Sequence, residues 1–227
     1  MWTVVSVSLV VLALTVPATA PVAGAAGNPN PRILPPQSRP YGLTYTQWAA
    51  RWSQWIFSIP SDQNPLGDPD GRFCQVGQSG PVFFLGSNFG GTSVRSCTVP
   101  AGRSILFTPG GFIGLLHIDA DTEDALSMGV DEGVDALSNI SADVDGVPVR
   151  DLGSYRVLTL LFDIALPPDN VFGLTPGEQG AIIGGFFLLL APPSPGEHIV
   201  HMHDEFPAPN GISDVTYNLT VAPRSGN

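Results

Sequence analysis

The chain contains no lysine: its nine basic residues are all arginine and face 20 acidic ones, for a formal net charge of −11. A surface of that sign repels nucleic-acid phosphates and anionic lipid headgroups, so neither is an expected partner. The same absence removes a Schiff-base amine, and no Gly-x-Ser-x-Gly elbow or Ser-x-x-Lys pair occurs. The common sequence signatures of a nucleophilic enzyme are therefore missing. Charge is sparse altogether, at 13% of residues, and Gly with Pro makes up about a fifth of the chain, which excludes long helical bundles and coiled coils. The apolar share of 43% argues against disorder. Beyond the N-terminal region no apolar run reaches membrane-spanning length; 181–191 is only as long as a strand.

At the N-terminus, residues 4–16 form an apolar run followed by small residues, and Ala23-Gly24-Ala25 fits the small-x-small pattern of signal cleavage. The run is short for a bilayer span, so residues 1–25 read as a secretory signal peptide. An uncleaved anchor is the alternative, because the usual basic n-region is missing. Residues 26–43 are Pro-rich and read as a linker, 44–223 as a single domain and 224–227 as a tail. The expected location is secreted, extracellular or at the cell surface, with no membrane span once the signal is removed. Cysteine is scarce too, with Cys74 and Cys97 alone. An even pair in an exported chain is expected to form a disulfide; two free thiols or half a metal site are the alternatives, and no Cys-x-x-Cys spacing favours the latter.

Within the domain, the clearest helix is expected at 44–59. Thr44 and Gln47 form a capping-box pair, Pro60 closes the segment, and Trp48, Trp52, Trp55 and Ile59 share one face. Such a face either plugs a hydrophobic core or, if exposed, offers a sugar-stacking or membrane platform; the core is the expectation. A second helix is expected at about 122–139, with Leu126, Val130, Val134 and Leu137 on one side and acids in its first turn. Short β-type runs occupy 82–86, 92–99, 103–108, 155–164, 181–191, 198–203 and 214–222, and Asp145-Gly146 signals a hairpin within 142–150. About nine strands and two helices imply a mainly β fold, a two-sheet antiparallel β-sandwich with the helices packed on it. Gly184-Gly185 sits inside a strand, where close packing is the ordinary reason for glycine.

Trp48-x-x-x-Trp52-x-x-Trp55, Ile59-Pro60, Asn64-Pro65 and Asp68-x-x-Gly71 are followed by Cys74-x-x-Gly77-Gln78 and Gly80-Pro81-Val82-Phe83-Phe84-Leu85. Arg95-x-Cys97-x-Val99-Pro100-x-Gly102 comes next, and Pro195-Gly196-Glu197-His198 precedes the terminal Val215-Thr216-Tyr217-x-Leu219-Thr220-Val221. Across about 44–222 this pattern resembles a family of secreted, functionally uncharacterised prokaryotic proteins. The resemblance implies an exported β-rich domain with a disulfide, and it implies no catalytic residue.

Histidine is the sharpest chemical signal. Three of the four lie in Glu197-His198-Ile199-Val200-His201-Met202-His203-Asp204-Glu205. In a strand His201 and His203 project to one face and His198 to the other. A His-x-His pair can share one Zn or Cu ion, with Asp204, Glu205 or the distant His117 completing the shell. A polar, partly exposed strand whose histidines bond to neighbours is the plainer expectation. The spacing from Gly196 to His201 does not fit a cupin. Asp119-x-Asp121-x-Glu123-Asp124 lacks the glycine and the terminal glutamate of an EF-hand, and Asp68-Pro69-Asp70-Gly71 reads as a turn rather than a calcium loop. The leading functional reading is a secreted non-catalytic domain, without cofactor, that interacts with a protein or glycan or serves a surface-structural role. The alternatives are a metal-binding or metal-dependent protein using His201 and His203, and a carbohydrate-binding or carbohydrate-active protein, which would need the Trp face or an open sheet to be exposed.

Overall fold

The computed structural model describes residues 30–207 and 211–223; the expected signal (1–25) and tail (224–227) lie outside them. The first helix, α1 (Tyr45–Phe57), begins as its sequence dictates. The Thr44 hydroxyl accepts from the Gln47 amide at 3.2 Å, and the Gln47 side chain accepts from the Thr44 amide at 2.9 Å. Its apolar face is interior: Trp48, Trp52, Trp55 and Ile59 are all buried. Burying an indole also requires a home for its N–H. Trp48 donates to the Pro40 carbonyl, Trp52 to that of Leu85 and Trp55 to that of Val76, at 2.8–3.0 Å. The three indoles are thus core, and among the described residues no Trp platform faces solvent.

The strands are β1 (Val82–Phe84), β2 (Gly91–Val99), β3 (Ser104–Leu115), β4 (Ser138–Val144), β5 (Val147–Pro148), β6 (Arg156–Leu158), β7 (Phe162–Leu166), β8 (Gly177–Leu190), β9 (Gly196–Glu205) and β10 (Ile212–Val221); the second helix is α2 (Glu123–Asp135). They build two five-stranded sheets packed together. One runs β1-β3-β8-β6, with β7 also pairing β8; the other runs β2-β10-β9-β4-β5. The expected sandwich is present, but it is mixed rather than antiparallel. Strand β1 runs parallel to β3, and β2 parallel to β10. The chain passes from one sheet to the other between β1 and β2 and back again before β3, so among these three strands neighbours in sequence are not neighbours in a sheet. Residue alternation reports which side of a strand is buried, not its partner, and cannot show this.

Three local outcomes shape the site. Strand β3 does not stop at Thr108, as Pro109-Gly110-Gly111 suggests, but continues through a bulge that shifts its register against β8 between Phe107 and Gly110. Opposite that bulge Gly185 has φ +152, and a β-carbon on it would stand 2.6 Å from the Gly110 oxygen, so only glycine fits. Helix α2 ends at Asp135, earlier than its apolar periodicity suggests, because Ser138 onward is needed as β4 alongside β9. The Asp145-Gly146 turn forms the β4–β5 hairpin, with both residues at positive φ. Cys74 and Cys97 form the disulfide, with their α-carbons 6.1 Å apart. Part of the Pro-rich stretch is docked: Ile33 is fully buried and bridges Leu190 at the end of β8.

Candidate functional site

Strand β9 alternates. Val200, Met202 and Asp204 point into the molecule, while Ile199, His201, His203 and Glu205 point outward. On the outer face the two histidines are joined by acids from both neighbouring strands. Asp143 of β4 lies opposite His201, and Asp214 of β10 lies opposite His203. His201 Nδ1 is 3.1 Å from Asp143 Oδ2, and its Nε2 is 3.2 Å from Asp214 Oδ2. The same Asp214 oxygen is 3.0 Å from His203 Nδ1, and His203 Nε2 is 3.7 Å from Glu205. Burial works against the charge of Asp214, but His203 and His201 outweigh it and hold its carboxyl below the usual range. Both ring nitrogens of His201 face carboxylates, and both can donate only as imidazolium, whereas a metal ligand needs a bare ring nitrogen.

Of the proposed metal set, the structure joins only His201, His203 and Glu205. Asp204 is on the opposite face of the strand, and His117 sits in the turn after β3, in the other sheet, at φ +62. Among the described residues no three His, Cys, Asp or Glu side chains stand so as to hold one metal ion. The inward His198 has a structural job: its Nδ1 is 2.8 Å from Asp145 at the hairpin turn and its Nε2 is 2.9 Å from the Ser194 carbonyl. Burial opposes its charge, yet these partners outweigh burial and raise its pKa. The acidic turns are likewise occupied by protein. Asp68 accepts from the backbone of Asp70, Gly71 and Phe73, and Asp70 pairs with Arg72.

The inner face of β9 leads to a different place. Asp204 lines a cavity of about 260 Å³ beside the β3 bulge. Its wall is mainly apolar: Trp52 and Phe57 from α1, Leu66, Ile183 of β8, Phe112 and Ile113 of β3, and Phe206. Phe89 and Phe112, the most exposed of these, form its rim. The bulge makes the room. A β-carbon at Gly110 would stand 3.3 Å from that of Asp204, crowding the carboxyl.

Polar groups in the wall are few and largely committed. The Thr108 hydroxyl donates to the Gly110 carbonyl, that of Ser87 is 3.3 Å from Ser213 Oγ, and Asn88 is bonded to Gly91, Ser93 and Gly90. Asp204 is the exception. It is 1% exposed, and its Oδ2 has no hydrogen-bond partner. Burial pushes its pKa up to about 6, against the smaller opposing effects of the Ser213 hydroxyl and His203. Among the described residues the other buried side-chain atoms without a partner are Nε and Nη2 of Arg95. That residue does not line the cavity. Its Nη1 donates to the carbonyls of Gly86 and Ser87 and to the Tyr217 hydroxyl, each at 2.9 Å, which fastens one wall from behind.

Asp143, Asp214 and the cavity itself were not legible in the sequence. Asp143 belongs to a strand 58 residues from His201 along the chain, Asp214 to the next strand, and both become its neighbours only through register. The cavity had one trace, Pro109-Gly110-Gly111 in an otherwise β-like run, which marks a bulge as readily as a turn. No protein-family model matches the chain, and no curated protein is significantly similar to it.

Proposed function

We propose that this is an exported, non-catalytic binding domain that holds a small, mostly apolar molecule in the cavity beside the β3 bulge. The observation that carries the reading is Asp204, a buried side chain in the lining of an apolar cavity, whose Oδ2 has no partner. An unpaired buried carboxyl is costly, and a fold keeps one where something outside the chain supplies the partner. The volume lies near the lower end of small-ligand pockets, roughly 300–1,000 Å³, and suits a body of one or two rings. Catalysis is not part of the reading because Asp204 stands alone: among the described residues the cavity wall has no His, Cys, Lys or Arg to act as its acid, nucleophile or oxyanion partner. Export rests on the apolar N-terminal run and the disulfide.

Ligand-observed NMR with 1-naphthalenemethanol and indole tests it. Saturable binding that weakens about three- to tenfold in Phe89→Ala and Phe112→Ala, as expected for losing an aromatic contact, supports the cavity. No binding of either compound up to about 1 mM, a free energy near −4.1 kcal/mol, overturns it.

A further inference from the structure

The cavity wall also says which charge its ligand carries. Every group that meets the interior around Asp204 is neutral: Ser213 from β10, Thr108 from β3, Ser87 and Asn88 from the stretch after β1, and apolar side chains from α1 and β8. Among the described residues the one ionisable side chain acting on it is His203, across the strand on the outer face. No basic side chain among the described residues lines the cavity, so an anionic ligand would meet a bare carboxylate and nothing to offset it. A cation meets the opposite situation. It finds an acceptor oxygen without a partner, the rings of Trp52, Phe57, Phe89, Phe112 and Phe206, and a chain with a net charge of −11 that draws cations toward its surface.

We propose that the cavity selects a protonated amine carried on a flat apolar body, an arylalkyl ammonium, with the Asp204 carboxylate as its counter-ion. This rests on the ligand-pocket reading above. The N–H of the ammonium supplies Oδ2 with the donor that the protein withholds, and a charge-assisted bond of this kind in a largely desolvated site is among the stronger ones available. The same arrangement makes binding depend on pH. The ligand pairs with ionised Asp204, so affinity holds at pH 7.5 and falls as the carboxyl takes up its proton, by as much as tenfold per pH unit below about 6.

The test compares three probes of one shape by calorimetry at pH 7.5: 1-naphthylmethylammonium, 1-naphthalenemethanol and 1-naphthoate. The ammonium is expected to bind roughly ten- to a hundredfold tighter than the alcohol, and the carboxylate more weakly than the alcohol. In Asp204→Asn the ammonium should lose that advantage over the alcohol. In the wild type at pH 5 the advantage should shrink about tenfold, a readout that needs no variant. Equal binding of alcohol and ammonium, or a preference that survives both Asp204→Asn and pH 5, overturns the ammonium proposal and leaves the cavity standing as a ligand site. If none of the three binds, the ligand-pocket reading fails and this proposal falls with it.

Discussion

On the outer face of β9, His201 and His203 meet carboxylates from the strands on either side, while on the inner face Asp204 presents an oxygen that meets nothing. The outer groups are between about a fifth and two-fifths exposed, so water is available to each and their pairing decides little. The inner group is 1% exposed, so its lack of a partner is felt far more strongly. The contrast reverses the order of interest that composition suggests. The histidine cluster, conspicuous as a run of letters, behaves as a self-satisfied polar surface, while one aspartate without a motif carries the unspent chemistry.

The largest effect expected from disturbing the inner region is that of Trp52→Ala. Trp52 forms the cavity wall, packs on Phe187 at 5.9 Å and donates to Leu85, so the change should cost about 3–5 kcal/mol in urea unfolding. A loss below ~1 kcal/mol would mean that the indole is not core.

Next comes Asp204→Asn, which should stabilise. Asp204 has a higher pKa folded than unfolded, so between about pH 4 and 6 the native state binds the extra proton and stability falls as pH rises. Above pH 6 the full cost is present, on the order of 2–3 kcal/mol, and Asn removes it. The variant should therefore melt higher than the wild type at pH 7.5, with the advantage gone at pH 4. A variant that is less stable at pH 7.5 would show that the carboxylate has a partner inside the protein.

His198→Gln should cost about 1 kcal/mol, with the opposite pH signature to that of a lowered acid. Its pKa is raised by Asp145 and Ser194, so its contribution is full below ~6.5 and is lost as pH rises through the folded value. The smallest effects belong to the outer row. Asp214→Asn and His203→Gln should each change stability by less than ~1 kcal/mol. Because Asp214 is held low, its share is present above ~3.9 and disappears as pH falls. Zn²⁺ titration should show no saturable site below ~100 μM, since Asp204 and His117 do not join the pair. A stoichiometric site lost in both His201→Ala and His203→Ala would restore the metal reading.

What was legible in the sequence was local. Thr44, Gln47 and the Trp spacing announced α1 because capping and one-face periodicity are interactions within a few residues. Asp145-Gly146 announced its hairpin for the same reason. Strand direction and the partners of His201 were not legible, because they depend on which distant strand arrives alongside β9. The β3 bulge was not legible beyond the run 103–108, because Pro-Gly-Gly suits a turn as readily, and only the opposing Gly184-Gly185 in β8 decides between them.

The most direct test follows the ¹³C resonance of the Asp204 side-chain carboxyl through a pH titration, without and then with saturating 1-naphthylmethylammonium. The expected midpoint is about 6 in the free protein and falls toward the ordinary aspartate range once the ammonium is bound. A midpoint near 3.9 in the free protein, unmoved by the ammonium, would contradict the account, since it would mean that the carboxyl is already solvated or paired and has no need of a ligand.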